Sequence, residues 1–195
     1  MAALTFGRSR DDQGVSAFHR SSRSRTSLRT YVLIAIVSAS SALAPAQAQQ
    51  IGSVTGLPLP RYVSLKSDRV NLREGPSKDH RAAWLFQRAG LPVEITAEFD
   101  TWRKIRDSEG SEGWVLHSLL SGRRTVIISP WKKGEIMPLH AKPQNNSDTV
   151  ANLQAGVIAN IKRCDKGWCR IYGTGYDGFI AQNMLWGVYP DEKVE

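Results

Sequence analysis

Residues 89–120 read AGLPVEITAEFDTWRKIRDSEGSEGWVLHSLL, and residues 155–185 read AGVIANIKRCDKGWCRIYGTGYDGFIAQNML. Aligned on their Ala-Gly starts, the two stretches share an apolar run ending at Ile95 and Ile161, then Trp102 and Trp168, Ile105 and Ile171, Gly113 and Gly178, and Leu120 and Leu185. The offset is 66 residues over most of the match and 65 at its end, so a loop has lost one residue. Upstream, Leu72 and Pro76 answer to Leu139 and Pro143 at an offset of 67. A repeat of this length is a small domain rather than one turn of a solenoid. The chain is therefore expected to hold two copies of one small module.

Each copy reads as short strands and polar turns. Val70–Arg73 alternates, Trp84–Gln87 follows as a second strand, and Val93, Ile95, Ala97 and Phe99 place one apolar face on a period-two run. Trp102–Arg106 returns along it, residues 107–112 form a polar loop, and Gly113–Leu116 leads to Leu119 and Leu120 on the core. The second copy repeats the scheme at Met137–His140, Val150–Leu153, Val157–Arg163, Trp168–Tyr172 and Gly178–Ala181. No segment offers an amphipathic helix of more than two turns. About five short strands in so small a module can bury a core only by curling into a barrel, so the fold class is all-β.

The first 48 residues read as a secretory signal. Arg23, Arg25 and Arg29 precede an apolar stretch from Tyr31 to Leu43, and Ala46-Gln47-Ala48 fits a cleavage site. That stretch falls short of the roughly 20 residues a membrane-crossing helix needs. The expected location is periplasmic, with no stable membrane insertion after cleavage. Residues 1–48 carry six arginines and two aspartates, so without them the formal charge falls from +8 to +4. The remaining basic clusters are small and interrupted by core residues, which argues against nucleic acid as a partner. The expected division is 1–48 signal peptide, 49–60 linker, 61–123 first domain, 124–190 second domain and 191–195 C-terminal tail.

Cys164 and Cys169 bracket Asp165-Lys166-Gly167-Trp168, a turn between two strands. A hairpin sets such positions opposite each other, and an oxidising compartment preserves the bond, so a disulfide is expected. The spacing lacks the two-residue gap usual in metal or redox pairs, and no histidine lies near. His80, His117 and His140 are scattered, Ser118 and Ser121 lack a nucleophile-elbow context, and Gly173-Thr174-Gly175 is not followed by a helix. Neither metal, cofactor nor catalysis is expected.

The strings VNLREGPS (70–77), GLPVEITAEFDTWRKI (90–105), EGWVLHSLLSGRRT (112–125) and GWCRIYGTGYDGFIAQNMLWGVYP (167–190) resemble the bacterial SH3-like domain family. More narrowly, they resemble its tandem form in exported proteins of Gram-negative bacteria. The resemblance spans about residues 60–190 and implies two tandem SH3-like β-barrels after the signal peptide. It also implies a binding module, with peptidoglycan or its stem peptides as the leading ligand. The alternatives are an adaptor binding an envelope protein or a non-catalytic subunit of a cell-wall enzyme. The second copy departs from the pattern, with Pro138 and His140 where the first has Asn71 and Arg73.

All six tryptophans follow the leader. The matched pairs Trp102/Trp168 and Trp114/Phe179 read mainly as barrel core. Trp131 and Tyr176, without counterparts, are candidates for an aromatic peptide groove. Trp114 is included as a candidate with Glu109 and Glu112, whose carboxylates would meet a cationic ligand group.

Overall fold

The computed structural model describes residues 50–195; the expected signal peptide lies outside them. A hairpin of β1 (Gln50–Ile51) and β2 (Pro58–Leu59) comes first. One sheet then holds β3 (Arg61–Leu65), β4 (Val70–Arg73), β5 (Ala82–Phe86), β6 (Pro92–Phe99), β7 (Trp102–Arg106), β8 (Glu112–Leu116) and β9 (Leu120–Ser121). The other holds β10 (Thr125–Ile128), β11 (Ile136–His140), β12 (Thr149–Gln154), β13 (Ile158–Asp165), β14 (Trp168–Gly173), β15 (Tyr176–Ala181) and β16 (Leu185–Trp186). The spatial orders are β5-β4-β8-β7-β6-β3-β9 and β12-β11-β15-β14-β13-β10-β16, so the second is the first advanced by seven strands. Both sheets are antiparallel and each encloses its own apolar cluster, around Val70, Val93 and Ile105 in one and Val126, Leu139 and Ile171 in the other. The protein is a pair of small SH3-like barrels.

The strands β3 and β10, which open each sheet, were not distinguished by the sequence pattern. Both pair with the long fourth strand of their barrel, β6 or β13, and with its short last strand. Each barrel ends in a short 3-10 turn, His117–Leu119 or Gln182–Met184, which hands the chain back to that last strand.

The expected period-two face of β6 does not survive its full length. Pairing with β7 shifts between Ile95 and Ala97, a bulge that inserts Thr96 and exchanges the faces beyond it. Val93 and Ile95 are buried, but Phe99 is 57% exposed and the side chain of Glu98 is wholly buried instead. The same bulge recurs between Ile161 and Arg163, and puts Cys164 at the position of Glu98.

The two copies fasten this position differently. Cys164 is bonded to Cys169 across β13 and β14, as the spacing predicts. In the first copy the corresponding residues are Glu98 and Arg103, an ion pair at 3.5 Å. Glu98 also accepts from Arg61 Nη2 at 2.7 Å, Thr55 Oγ1 at 2.7 Å and the backbone N–H groups of Thr55 and Val54. Burial pushes the Glu98 carboxyl up, but the bonds from Thr55, Arg61 and Val54 prevail and hold it at about 2.

The segments flanking the two barrels are fastened to them. Residues 50–60 form a hairpin tied to Glu98, with Leu59 inside the first core, rather than a bare linker. The segment after residue 190 is likewise attached: Cys164 and Val194 exchange backbone hydrogen bonds, and Glu192 pairs with Arg124 at 2.7 Å.

The barrels meet at a buried cluster. Glu94, 2% exposed, accepts from Arg106 on its own barrel and from the Tyr189 hydroxyl at 2.8 Å. The Tyr62 ring packs edge-on to Trp186 at 5.4 Å and against Tyr189 at 4.7 Å. Burial, together with the Glu94 charge, raises the pKa of both tyrosines, so each hydroxyl keeps its proton well into alkaline solution.

Candidate functional site

The repeat permits position-by-position comparison, and Trp168 is where the copies part company. Its counterpart Trp102 is 7% exposed, whereas Trp168 is only half-buried. Trp168 begins β14, just after a turn in which Lys166 and Gly167 both adopt positive φ (50° and 77°). Such a turn matches the twist of a two-residue hairpin loop. It brings the indole to the junction of three hollows of about 310, 440 and 550 Å³.

On one side of Trp168 the wall holds no Lys, Arg, Asp or Glu. Met137, His140, Asn145, Asn183 and Met184 line it, and the His140 ring stands edge-on to the indole at 5.8 Å. His140 Nδ1 lies 3.1 Å from the Ser147 carbonyl, which can only accept, so Nδ1 carries the proton. Arg73 donates to the His80 carbonyl at the equivalent place in the first copy. The exchange of arginine for histidine therefore preserves the loop anchor while removing the fixed charge. Asn145 and Asn183 each bring a carboxamide that can donate and accept.

On the other side the wall is cationic and aromatic. Arg163, Lys166 and Phe179 line it together with Trp168, and Asp165 is the one acid. The guanidinium carbons of Arg163 and Arg170 lie 5.8 and 5.7 Å from the Phe179 centroid. Arg170 is bound to Asp177 at 2.7 Å, and this bond holds the Asp177 carboxyl below its ordinary range. Arg163 and Lys166 have no ion-pair partner among the described residues.

The residues singled out from the sequence lie elsewhere and do not form one site. Trp131 is 55% exposed in the loop after β10. Tyr176 begins β15 half-buried against the second core and beside Gly173, and burial raises its phenol pKa. Trp114 is half-buried on β8, opposite Arg73 and Lys104. Glu112 pairs with Lys104 at 2.7 Å, and that bond lowers its carboxyl pKa. Glu109 is 3.7 Å from Lys133 and lines a separate hollow of about 320 Å³ with the exposed Trp84.

Sequence reading missed Trp168 because its match to Trp102 suggested a common core role. Phe179 and Trp114 were read the same way, yet both are half-buried. The available signal was the replacement of Arg73 by His140, which changes the chemistry beside Trp168 and leaves the barrel frame intact.

Two curled antiparallel sheets of one topology define a tandem SH3-like β-barrel protein. The chain belongs to the bacterial SH3 domain family, whose model matches residues 66–122 and 133–187. Among solved structures it is similar to NlpC2 from Trichomonas vaginalis, at 15% identity and a TM-score of 0.30 over 65% of this chain and 48% of that one. It is similar also to NlpC1 from the same organism, at 15% identity and a TM-score of 0.30 over 69% of this chain and 48% of that one. The chain thus spans about half the length of those two proteins. No curated protein matches it.

Proposed function

We propose that this protein is a non-enzymatic, periplasmic binding module that recognises peptidoglycan through its stem peptides. Export by residues 1–48 is part of the reading. The observation that carries it is the half-exposed Trp168, flanked by carboxamides on one side and by Arg163 and Lys166 on the other. Carboxamides suit the amide groups of a peptide, an aromatic face offers contact area at low entropic cost, and a guanidinium suits a terminal carboxylate.

Co-sedimentation of oxidised residues 49–195 with purified sacculi tests the reading. Saturable binding that survives high salt and falls at least tenfold in Trp168→Ala supports it. Exposed charge attraction alone is screened beyond about 3 Å at 1 M salt. Binding only at low salt, or no binding, overturns it in favour of an adaptor for an envelope protein.

A further inference from the structure

A cleft of about 670 Å³ opens where the two barrels join, larger than any of the hollows around Trp168. Its wall contains Lys66 and Arg88 from the first barrel, Arg123 from the connecting segment, and Ser121, Thr125 and Asn160. No aspartate or glutamate lines it, and none of the three cations has an ion-pair partner among the described residues. A cationic concavity of this kind differs from a solvated face, where charges of both signs are usually interspersed.

Two of the cations are held across the junction. Arg123 donates through Nε to Asn160 Oδ1 at 2.8 Å and through Nη2 to the same oxygen, leaving Nη1 without a partner. Arg88 reaches the Gly156 carbonyl of the second barrel through Nη1 and Nη2, at 3.4 and 3.3 Å, leaving Nε without a partner. Lys66 makes no side-chain hydrogen bond among the described residues. The Ser121 hydroxyl accepts from the Arg123 N–H and retains its own proton to donate. The Thr125 hydroxyl is spent on the Gly90 carbonyl at 2.7 Å, which ties the cleft floor to both barrels.

We propose that this inter-barrel cleft is a second binding site, for a phosphoryl oxyanion carrying two or more negative charges. Three positive charges and donors from several directions exceed what one carboxylate accepts, and match the oxygens of a phosphomonoester or diphosphate. The volume falls in the range of small-molecule sites. Guanidiniums already held by Asn160 and Gly156 lose less freedom on binding than loose side chains would. Because the walls come from both sides of the junction, the site depends on the contacts that hold the barrels together, the Glu94–Tyr189 and Thr125–Gly90 hydrogen bonds among them. The inference does not depend on the wall-binding reading.

The phosphoryl group has two possible sources, a soluble phosphorylated molecule or a phospholipid headgroup. Calorimetry with inorganic pyrophosphate at low ionic strength tests the first, and flotation with phosphatidylcholine vesicles containing phosphatidic acid tests the second. One equivalent of pyrophosphate bound, weakened about tenfold by Lys66→Gln and further by Arg88→Gln, supports the site with a soluble ligand. Vesicle binding abolished by the same substitutions and displaced by pyrophosphate supports it with a lipid ligand. Lys66→Gln removes no hydrogen bond of the fold, and an unchanged melting temperature shows that the variant is native. Lys78→Gln, on a loop away from the cleft, leaves binding unchanged. Absence of saturable binding to both probes, or equal binding by wild type and Lys66→Gln/Arg88→Gln, overturns the proposal.

Discussion

Glu98 makes the fold dependent on pH in a predictable direction. Its carboxyl drops from an ordinary 4.5 to about 2 in the folded chain. Since each pKa unit corresponds to about 1.36 kcal/mol, the ionised group contributes about 3 kcal/mol at most. Two of its donors, the N–H groups of Val54 and Thr55, belong to exposed residues, and solvent screening reduces this to about 2 kcal/mol. A carboxyl whose folded pKa is depressed stabilises fully above its unfolded pKa and loses that contribution as pH falls through the folded one. Urea denaturation of wild type and Glu98→Gln at constant ionic strength, from about pH 7 to about pH 2, measures the effect directly. Titration of the other carboxyls is common to both proteins and cancels in the difference. The variant should be less stable by about 2 kcal/mol at neutral pH, with the gap closing between about pH 4.5 and pH 2. Its β1–β2 hairpin should also be cut by protease faster than that of the wild type. A gap that stays constant over this pH range would refute the assignment of the stability to the ionised carboxylate.

Three other perturbations test the remaining joints. Tyr189→Phe deletes the hydroxyl bound to Glu94 and should cost about 1.5 to 3 kcal/mol in denaturant unfolding, as expected for a hydrogen bond to a charged group. Tyr172→Phe, on an exposed strand position, serves as its neutral control. Replacing Cys164 and Cys169 together by Ser should lower stability by about 2 kcal/mol, the chain-entropy value for so short a loop, with no effect from reducing agent on the variant. Gly178→Ala would bring a methyl to 2.7 Å from Val150 Cγ2, 2.8 Å from Leu139 Cγ and 2.9 Å from the His140 carbonyl. Overpacking should cost about 1 to 3 kcal/mol, and Gly113→Ala, which would meet Leu72 Cγ at 2.6 Å and the Arg73 carbonyl at 2.8 Å, should cost at least as much in the first barrel. A tolerated alanine at either position would show that the strand crossing is looser than described.

Periodicity and repetition made the frame legible. Val70–Arg73 coincides with its strand because it alternates between core and solvent without interruption. The bulge at Thr96 was hidden because Val93, Ile95, Ala97 and Phe99 are all apolar, so nothing in that alternation marks the residue where the faces exchange. The hairpin at residues 50–59 was hidden for a different reason. Its attachment is polar, through Glu98, and its sequence is rich in Gly and Pro, so it has no hydrophobic period to detect. The exposure of Trp168 was equally invisible, since residue type alone does not say whether an indole faces a core or a hollow. The cationic cleft needs Lys66, Arg88 and Arg123 to converge from segments far apart in the chain.

The paired positions 98/103 and 164/169 are two ways of fastening the same place in one module. A buried carboxylate must be surrounded by donors, and Glu98 obtains them by drawing Arg61, Thr55 and the β1–β2 hairpin onto the first barrel. Arg103 in turn bonds the carbonyls of Asp100 and Trp102 at 2.8 and 2.7 Å, which fixes the turn beside Trp102. A disulfide at the same place fastens the strands without any charge to solvate. The second barrel can then close its β13–β14 hairpin while leaving the neighbouring indole half open. Replacing both cysteines by Glu and Arg, at 164 and 169 respectively, separates fastening from covering. Without a hairpin to supply donors, the new pair should destabilise the second barrel by more than the Ser/Ser variant does. Equal stability of the two variants would mean that burial at this position costs nothing, and that the divergence of the copies has another cause.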